Sequence, residues 1–446
     1  MRKFLTICGI LVSVALGAQQ PTYSLEQLLD SALVNNISVK SARYDLEAAA
    51  QQHREAFTKY FPQVSAVGLW FNANKDLVNL ELNPGEIIPP QIGAVLSQIL
   101  PAEALAALGN PINISALKNG TVAGVMAIQP VFAGGQIVNG NKLAKVGQEV
   151  KSLMVEISEN DVEKTVAAYY WQIVSLQEKL NTIAAAKALV DDICKDVTVA
   201  VNAGVAMRND LLQVQLRQNE LDSQKLKAEN GLALLKLLTA QYCGLADENF
   251  AVDGAVTDDE NIIPMQDHTE ALFRTPEFAL LGKQVEAAGL MHKMELGKLL
   301  PTVGVGAGYN YTNVLDKNQH FGMIYAGIRI PISDWWGGSH ALKRKKIEYQ
   351  KALDTRDYNS AMLRIGMQSA WNDVEESWEQ LLIARRSIEQ AQENLRLNMD
   401  YYEAGISKMS ELLEAQLLYQ QTLDKKTDAY ATYRNKVVAY RIATAQ

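Results

Sequence analysis

The sequence predicts a mostly α-helical, internally duplicated chain carrying four β-strands of membrane type. Three observations lead there. The sequence repeats itself, each copy has a proline-free helical stretch too long for a globule, and each copy has two segments alternating with period two. Ala203-Gly204-Val205, Asp210-Leu211-Leu212 and Gln215-Leu216 recur 201 positions later as Ala404-Gly405-Ile406, Glu411-Leu412-Leu413 and Gln416-Leu417. Pro130 and Pro331 keep that spacing. Earlier the spacing is 239: Leu46-Glu47-Ala48-Ala49 returns as Val285-Glu286-Ala287-Ala288, and Phe61-Pro62-Gln63-Val64 as Leu300-Pro301-Thr302-Val303. A tandem duplication makes each copy half of one symmetric object. The change in spacing assigns 38 extra residues to the first copy, between its strand segments.

Residues 1–18 read as an export signal. Arg2 and Lys3 precede an apolar run from Phe4 to Leu16, then the small residues Gly17 and Ala18, and cleavage is expected near Ala18. No later stretch has about 20 consecutive apolar residues, so no second membrane helix is expected. Cys194 and Cys243 are expected far apart along a helical hairpin, out of bridging range. The net charge of −8 repels phosphate backbones and argues against nucleic acid as a partner. Histidines 53, 268, 292, 320 and 340 are scattered and no cluster has metal-ligand spacing. The glycine-rich stretch 303–308 is not followed by a helix, so it is no nucleotide fingerprint. No enzyme, cofactor or metal centre is expected.

The first repeat spans 19–243 and opens with a helix at about 24–59. A strand at about 63–74 follows, with Leu69, Trp70 and Phe71 suited to a bilayer interface. The insert at about 78–118 holds Asn83-Pro84-Gly85, Pro89-Pro90, Pro101 and Asn110-Pro111. It reads as a long extracellular loop with one short helix near Ala102–Leu108. A second strand runs at about 121–131. The long helix at about 141–202 carries an apolar seam through Val162, Val166, Tyr169, Ile173, Leu176, Leu180, Ile183, Val190, Cys194, Val197 and Val201, interrupted only by Lys187. Steps of four and three make it a heptad seam, and the helix would be about 93 Å long at 1.5 Å per residue. Gly204 fits a left-handed C-cap, and Asn209 or Asp210 offers an N-cap oxygen to a returning helix at about 209–241. Residues 244–266 form an acidic linker.

The second repeat, 267–446, runs the same course. A helix at about 267–298 leads to strands at about 302–312 and 321–331. Val303, Val305, Ala307, Tyr309 and Tyr311 share one face, as do Ile324, Ala326, Ile328 and Ile330. Period two over about ten residues is the signature of a membrane strand. Pro62, Pro130, Pro301 and Pro331 mark the inner strand ends, where chain direction changes. Trp335-Trp336 suits the inner membrane interface. A long helix at about 339–403 has its own seam, including Trp371, Val374, Trp378, Leu381, Ile388, Leu395, Met399 and Tyr402. After Gly405, Ser410 is the candidate N-cap of a returning helix at about 409–444. Four strands cannot close a barrel, and lipid does not tolerate an open edge. Either they form a soluble sheet or several chains combine.

Together these pieces resemble the TolC-type outer-membrane efflux family. The residues that carry the resemblance are Ser24 to Leu29 with Asn35-Asn36, the strand starts Phe61-Pro62 and Leu300-Pro301, Pro130 to Gly135 with its counterpart Pro331 to Gly338, and the two Ala-Gly turns. His268-Thr269-Glu270-Ala271 is a poor echo of the family's entry pattern. The resemblance implies a homotrimer in the outer membrane, extending into the periplasm. Twelve strands from three chains would close one barrel, the helices would form a hollow cylinder, and the short helices and linker a belt around it. It also implies a passive duct in a tripartite efflux or type I secretion system, with a periplasmic adaptor (membrane fusion) protein and, through it, an inner-membrane pump as partners. A stand-alone porin and a soluble periplasmic coiled-coil interaction protein are the alternatives.

By the same resemblance the turns form the periplasmic tip. The family places acids six residues after each turn glycine and nine after the second, which here are Asp210, Glu411 and Glu414. Threefold symmetry would gather nine carboxylates at one constriction, selecting cations. The family's basic partner after the second glycine is not matched cleanly, and Lys408 or Arg208 stands nearest. Ala203, Gly204, Val205, Ala404, Gly405 and Ile406 become the adaptor-docking tip.

Overall fold

The computed structural model describes residues 20–82, 92, 96, 98–108, 112–116, 118–258, 261–314 and 317–446. The expected export signal lies outside them, as do Asp259-Glu260 and the Asn83-Pro84-Gly85, Pro89-Pro90 and Asn110-Pro111 signals of the insert. In chain order the elements are β1 (Thr22–Tyr23), α1 (Leu25–Asn35), α2 (Ile37–Thr58), β2 (Gln63–Asn72), β3 (Val78–Leu82), α3 (Ala102–Leu108), β4 (Ile112–Ala116), β5 (Asn119–Ala133), α4 (Gln136–Asn202) and α5 (Arg208–Cys243). They continue with β6 (Ala251–Val252), α6 (His268–Leu272), α7 (Pro276–Lys298), β7 (Thr302–Val314), β8 (Lys317–Arg329), α8 (Asp334–Glu403) and α9 (Met409–Ala443). The chain is mostly helical. It divides into two compact units, one of Met1–Ala50, Val146–Glu286 and Lys351–Gln446, the other of Gln51–Lys145 and Ala287–Gln350.

In the first unit the expected helix at 24–59 is broken at Asn36. Its side-chain oxygen accepts the Ser38 N–H at 2.8 Å and its amide donates to the Tyr242 carbonyl at 3.2 Å. Thr275, 239 positions later, breaks the expected helix at 267–298 in the same way, its hydroxyl accepting the Phe278 N–H at 3.3 Å ahead of Pro276. Both are N-cap interactions, and proline at the first helical position removes a donor that had no partner anyway. α1 opens with a capping box between Ser24 and Gln27.

The long helices α4 and α8 have 67 and 70 residues. Along α4 the seam residues Val162, Val166, Ile173, Ile183, Val190 and Val197 are buried, and Lys187, the break in it, pairs with Asp222 of α5. Ala167, Tyr170, Trp171, Val174 and Ile193 are buried as well, off the seam. α4 therefore packs on two sides, against α5 and α9, and one heptad seam understates its core. Trp171 meets Tyr430 edge-on at 5.6 Å, and Trp378 and Trp371 meet Tyr433 and Tyr440. Each such ring buried contributes about 2 kcal/mol. The three α9 tyrosines also hold the linker. The Gln266 N–H donates to Tyr440 at 2.9 Å, Tyr433 donates to the Asn261 carbonyl at 3.0 Å, and the Thr257 and Tyr430 hydroxyls meet at 3.3 Å. The acidic linker is further tied by Asp253 to Tyr170 and by Asp258 to Lys426 and Arg385. β1 and β6 pair in parallel.

The second unit is built on a sheet of order β2-β5-β7-β8, antiparallel throughout. Residues directly opposite in an antiparallel ladder share a face. Val64 lies across from Ala127, Ala127 from Ala307, and Ala307 from Ile324; Ala66, Val125, Tyr309 and Gly322 form the next rung. The register thus joins the expected apolar faces of separate strands into one band, and that band is exposed, Ile324 at 89% and Trp70 at 70%. On the other face Gly306 lies directly under the Tyr325 ring, which would have to swing aside to admit a Cβ there. Two strand edges, on β2 and β8, are unpaired within the sheet.

Several expectations change. The insert at 78–118 is not all loop, because β3 and β4 pair antiparallel within it around the expected helix at Ala102–Leu108. Its prolines hid the alternation of Val78-Asn79-Leu80-Glu81-Leu82. Pro130 is not at a strand end but inside β5, where the register shifts between Pro130 and Phe132. A residue without an N–H fits a ladder only at such an irregularity. Pro62 and Pro301 directly precede β2 and β7, and Pro331 follows β8. Both long helices start five residues earlier than expected, since glycine costs a helix only about 1 kcal/mol. Gly338 lies against Leu299, whose carbonyl accepts the Trp335 indole N–H at 2.9 Å.

Candidate functional site

The two helical turns of the first unit are copies in geometry as well as sequence. The Val205 N–H donates to the Ala200 carbonyl at 3.0 Å and the Gly204 N–H to Val201 at 3.0 Å; Ile406 to Tyr401 at 2.8 Å and Gly405 to Tyr402 at 3.0 Å repeat the pattern. Both glycines are left-handed, φ +73° and +69°. This is the Schellman ending, which satisfies the last helical carbonyls. It leaves Val205, Met207 and Ile406 exposed at the turns. A Cβ on either glycine would meet nothing within 4 Å. The turn surface is open and small, with apolar side chains standing on it.

α5 begins one residue earlier than expected and α9 begins where expected, and Met207 and Lys408, not Asn209, Asp210 or Ser410, take the N-cap position. Asp210 and Glu411 then fall at the third helical residue. Each reaches back to the cap N–H: Asp210 to Met207 at 3.3 Å and Glu411 to Lys408 at 3.4 Å. A carboxylate there also complements the positive end of the helix dipole. Glu414 is exposed one turn farther along α9.

A groove of about 490 Å³ joins the two turns and includes Asp196, Met207, Asp210, Met399, Tyr402 and Glu403. Burial, with the Asp210 carboxylate adding to it, raises the Tyr402 phenol above its usual range. The structure thus brings Asp210 together with Tyr402, a residue that the sequence marks only as a seam position. Glu411 and Glu414 line α9 outside this groove. The buried cation of this region is neither Lys408 nor Arg208. It is Arg217, which donates to Gln416 and Gln420 across the two repeats. No sequence motif marks it. The one available signal was that its repeat counterpart is Leu418.

Among the described residues no group of histidine, cysteine, aspartate or glutamate could hold a metal ion, and no helix is long and apolar enough to cross a membrane.

Residues 269–444 match the family model described as outer membrane efflux protein. No curated protein matches the chain by sequence. Among solved structures, the CmeC outer membrane channel of Campylobacter jejuni has a TM-score of 0.75 at 15% identity, over 96% of this chain and 90% of that one. The outer membrane protein VceC of Vibrio cholerae has a TM-score of 0.72 at 13% identity, over 94% of this chain and 95% of that one. The MtrE outer membrane channel of Neisseria gonorrhoeae, in its open state, has a TM-score of 0.71 at 14% identity, over 94% and 88%.

Proposed function

We propose that the chain is an outer-membrane channel component of efflux, of the family whose model matches residues 269–444, and that three copies pool their sheets into one twelve-stranded barrel. The observation that carries this is the sheet itself. It has four strands, two edges unpaired within it, and an exposed apolar band across all four. An edge strand in lipid must find a partner, and β2 of one copy meeting β8 of the next supplies one for every edge. The long helices of the first unit form the wall of a periplasmic tunnel.

The turns serve as the gated tip. Asp210, Glu411 and Glu414 from three copies ring the opening, and Asp210 and Glu411 also cap their own helices. Ala203, Gly204, Val205, Ala404, Gly405 and Ile406 receive the periplasmic adaptor, through which the duct serves an inner-membrane pump. The exposed Val205 and Ile406 and the open space over both glycines support that role. The domain reading of two repeats, 19–243 and 267–446, joined by the 244–266 linker, is part of the same proposal.

Detergent-extracted protein should run as a trimer by light scattering and conduct in planar bilayers. A monomer, or a trimer that leaves the bilayer silent, is incompatible with the pooled barrel.

A further inference from the structure

Arg217 is 5% exposed, and its guanidinium crosses from α5 to α9. Nε donates to Gln416 Oε1 at 2.9 Å, Nη2 to Gln420 Oε1 at 2.6 Å, and Nη1 to Glu220 Oε2 at 3.1 Å. Gln416 and Gln420 are 1% and 3% exposed, and Gln420 in turn donates to Gln224 at 2.9 Å. This polar layer stands within an otherwise apolar cluster that includes Val214 and Leu221 of α5 and Leu412 and Ala415 of α9.

The duplication supplies an internal control. At the 201-residue spacing the counterpart of Arg217 is Leu418, which is 45% exposed. The counterparts of Gln416 and Gln420 are Gln215 and Asn219, both exposed. Here the copies are inverted: the charged residue is inside and the apolar one outside. Packing strength alone selects the reverse, because a buried guanidinium loses its hydration and its one carboxylate partner, Glu220, is largely at the surface. What such a layer provides is a single register and a reversible join. Amides and a guanidinium can be hydrated when they part, whereas an apolar seam cannot.

We propose that Arg217 is a positioning residue for the gate, a polar latch that holds the return helices of the two repeats in the paired arrangement seen here. Its separation from Gln416 and Gln420 is then a required step when the tip widens. Arg217 lies two helical turns beyond Asp210, and Gln416 lies five residues beyond Glu411, so the latch acts directly behind the acids. This rests on the channel reading above.

The test compares wild type, Arg217→Ala, Arg217→Lys and Gln416→Ala/Gln420→Ala as intact trimers, by single-channel conductance in planar bilayers and by thermal midpoint. Losing the partners of a buried charge should shift the closed-to-open ratio by roughly tenfold. Conductance per trimer should therefore rise in Arg217→Ala and in the double glutamine variant. Arg217→Lys should fall between, since an ammonium cannot fork between two amides. A purely structural role lowers the midpoint and leaves conductance per surviving trimer unchanged. Wild-type-like conductance in Arg217→Ala and the double variant, with wild type conducting, overturns the latch alone. A silent wild type overturns the channel reading and the latch with it. If Arg217→Ala fails to assemble, the double glutamine variant decides.

Discussion

Replacing Gly134 by alanine should destabilise the protein well beyond the same change at Gly204, although the two backbones are nearly alike, φ +61° and +73°. An alanine held in the left-handed region loses about 1 kcal/mol relative to glycine. At Gly204 nothing lies within 4 Å of the new Cβ, so that strain is the whole effect. At Gly134 the Cβ would fall 2.8 Å from the carbonyl carbon of Gly297 and 3.1 Å from its Cα, with the carbonyl oxygen closer still. These atoms are backbone of α7, not the end of a flexible side chain, so the corner between β5 and α4 must move away from α7. Forced movement of a packed contact adds about 1–3 kcal/mol. The total at Gly134 is then about 2–4 kcal/mol, against about 1 at Gly204. Thermal unfolding midpoints of the detergent-solubilised protein would compare the two, with Gly405→Ala (φ +69°, open space) as a second reference expected to match Gly204→Ala. Equal losses at Gly134 and Gly204 would show that the corner's close approach carries no energy and would refute the argument.

Two further outcomes follow from the tip and from α9. The triple variant Asp210→Asn/Glu411→Gln/Glu414→Gln keeps the oxygen acceptors that cap α5 and α9 while removing the charge, so thermal stability should hold; single-channel conductance should rise and cation preference fall, and unchanged bilayer currents would sink the acidic constriction. Asp424 of α9 has a buried carboxylate oxygen without a hydrogen-bond partner, and burial pushes its pKa up to about 6, with Lys179 opposing and Asp428 adding. Because the folded value lies above the unfolded one, the folded chain holds an extra proton between about pH 4 and 6. The stability this confers is present on the acid side and is lost as pH rises through 6. Asp424→Asn should therefore raise the thermal midpoint most at pH 7 and progressively less toward pH 5; a pH-independent difference would refute it.

Much of the architecture can be read from short-range chemistry. The glycine after each long helix marks the turn because the left-handed cap is a property of a few consecutive residues. The alternation at Val303 to Tyr311 marks a strand for the same reason, and the repeat doubles each signal. Features that depend on a partner far along the chain left weaker traces. Asn36 reads as an ordinary helical position until its amide meets Tyr242, and Val78–Leu82 reads as loop until Ile112–Ala116 pairs with it. In the candidate site, Asp210, Glu411 and the two turns were legible, and Tyr402 and Arg217 were not. Tyr402 fits an apolar seam equally well. Arg217 looks like any solvated helix charge, and only its repeat counterpart, a leucine, hints otherwise.

By itself the sequence determined the duplication, the long helices, the strand faces and the two capped turns, because each follows from backbone preference and spacing within one segment. The tertiary structure alone decided which charges are buried, which strands share an apolar band, and where Asp210 meets Tyr402. Those depend on the register between segments brought together from both repeats, and register is a property of packing that no single segment encodes.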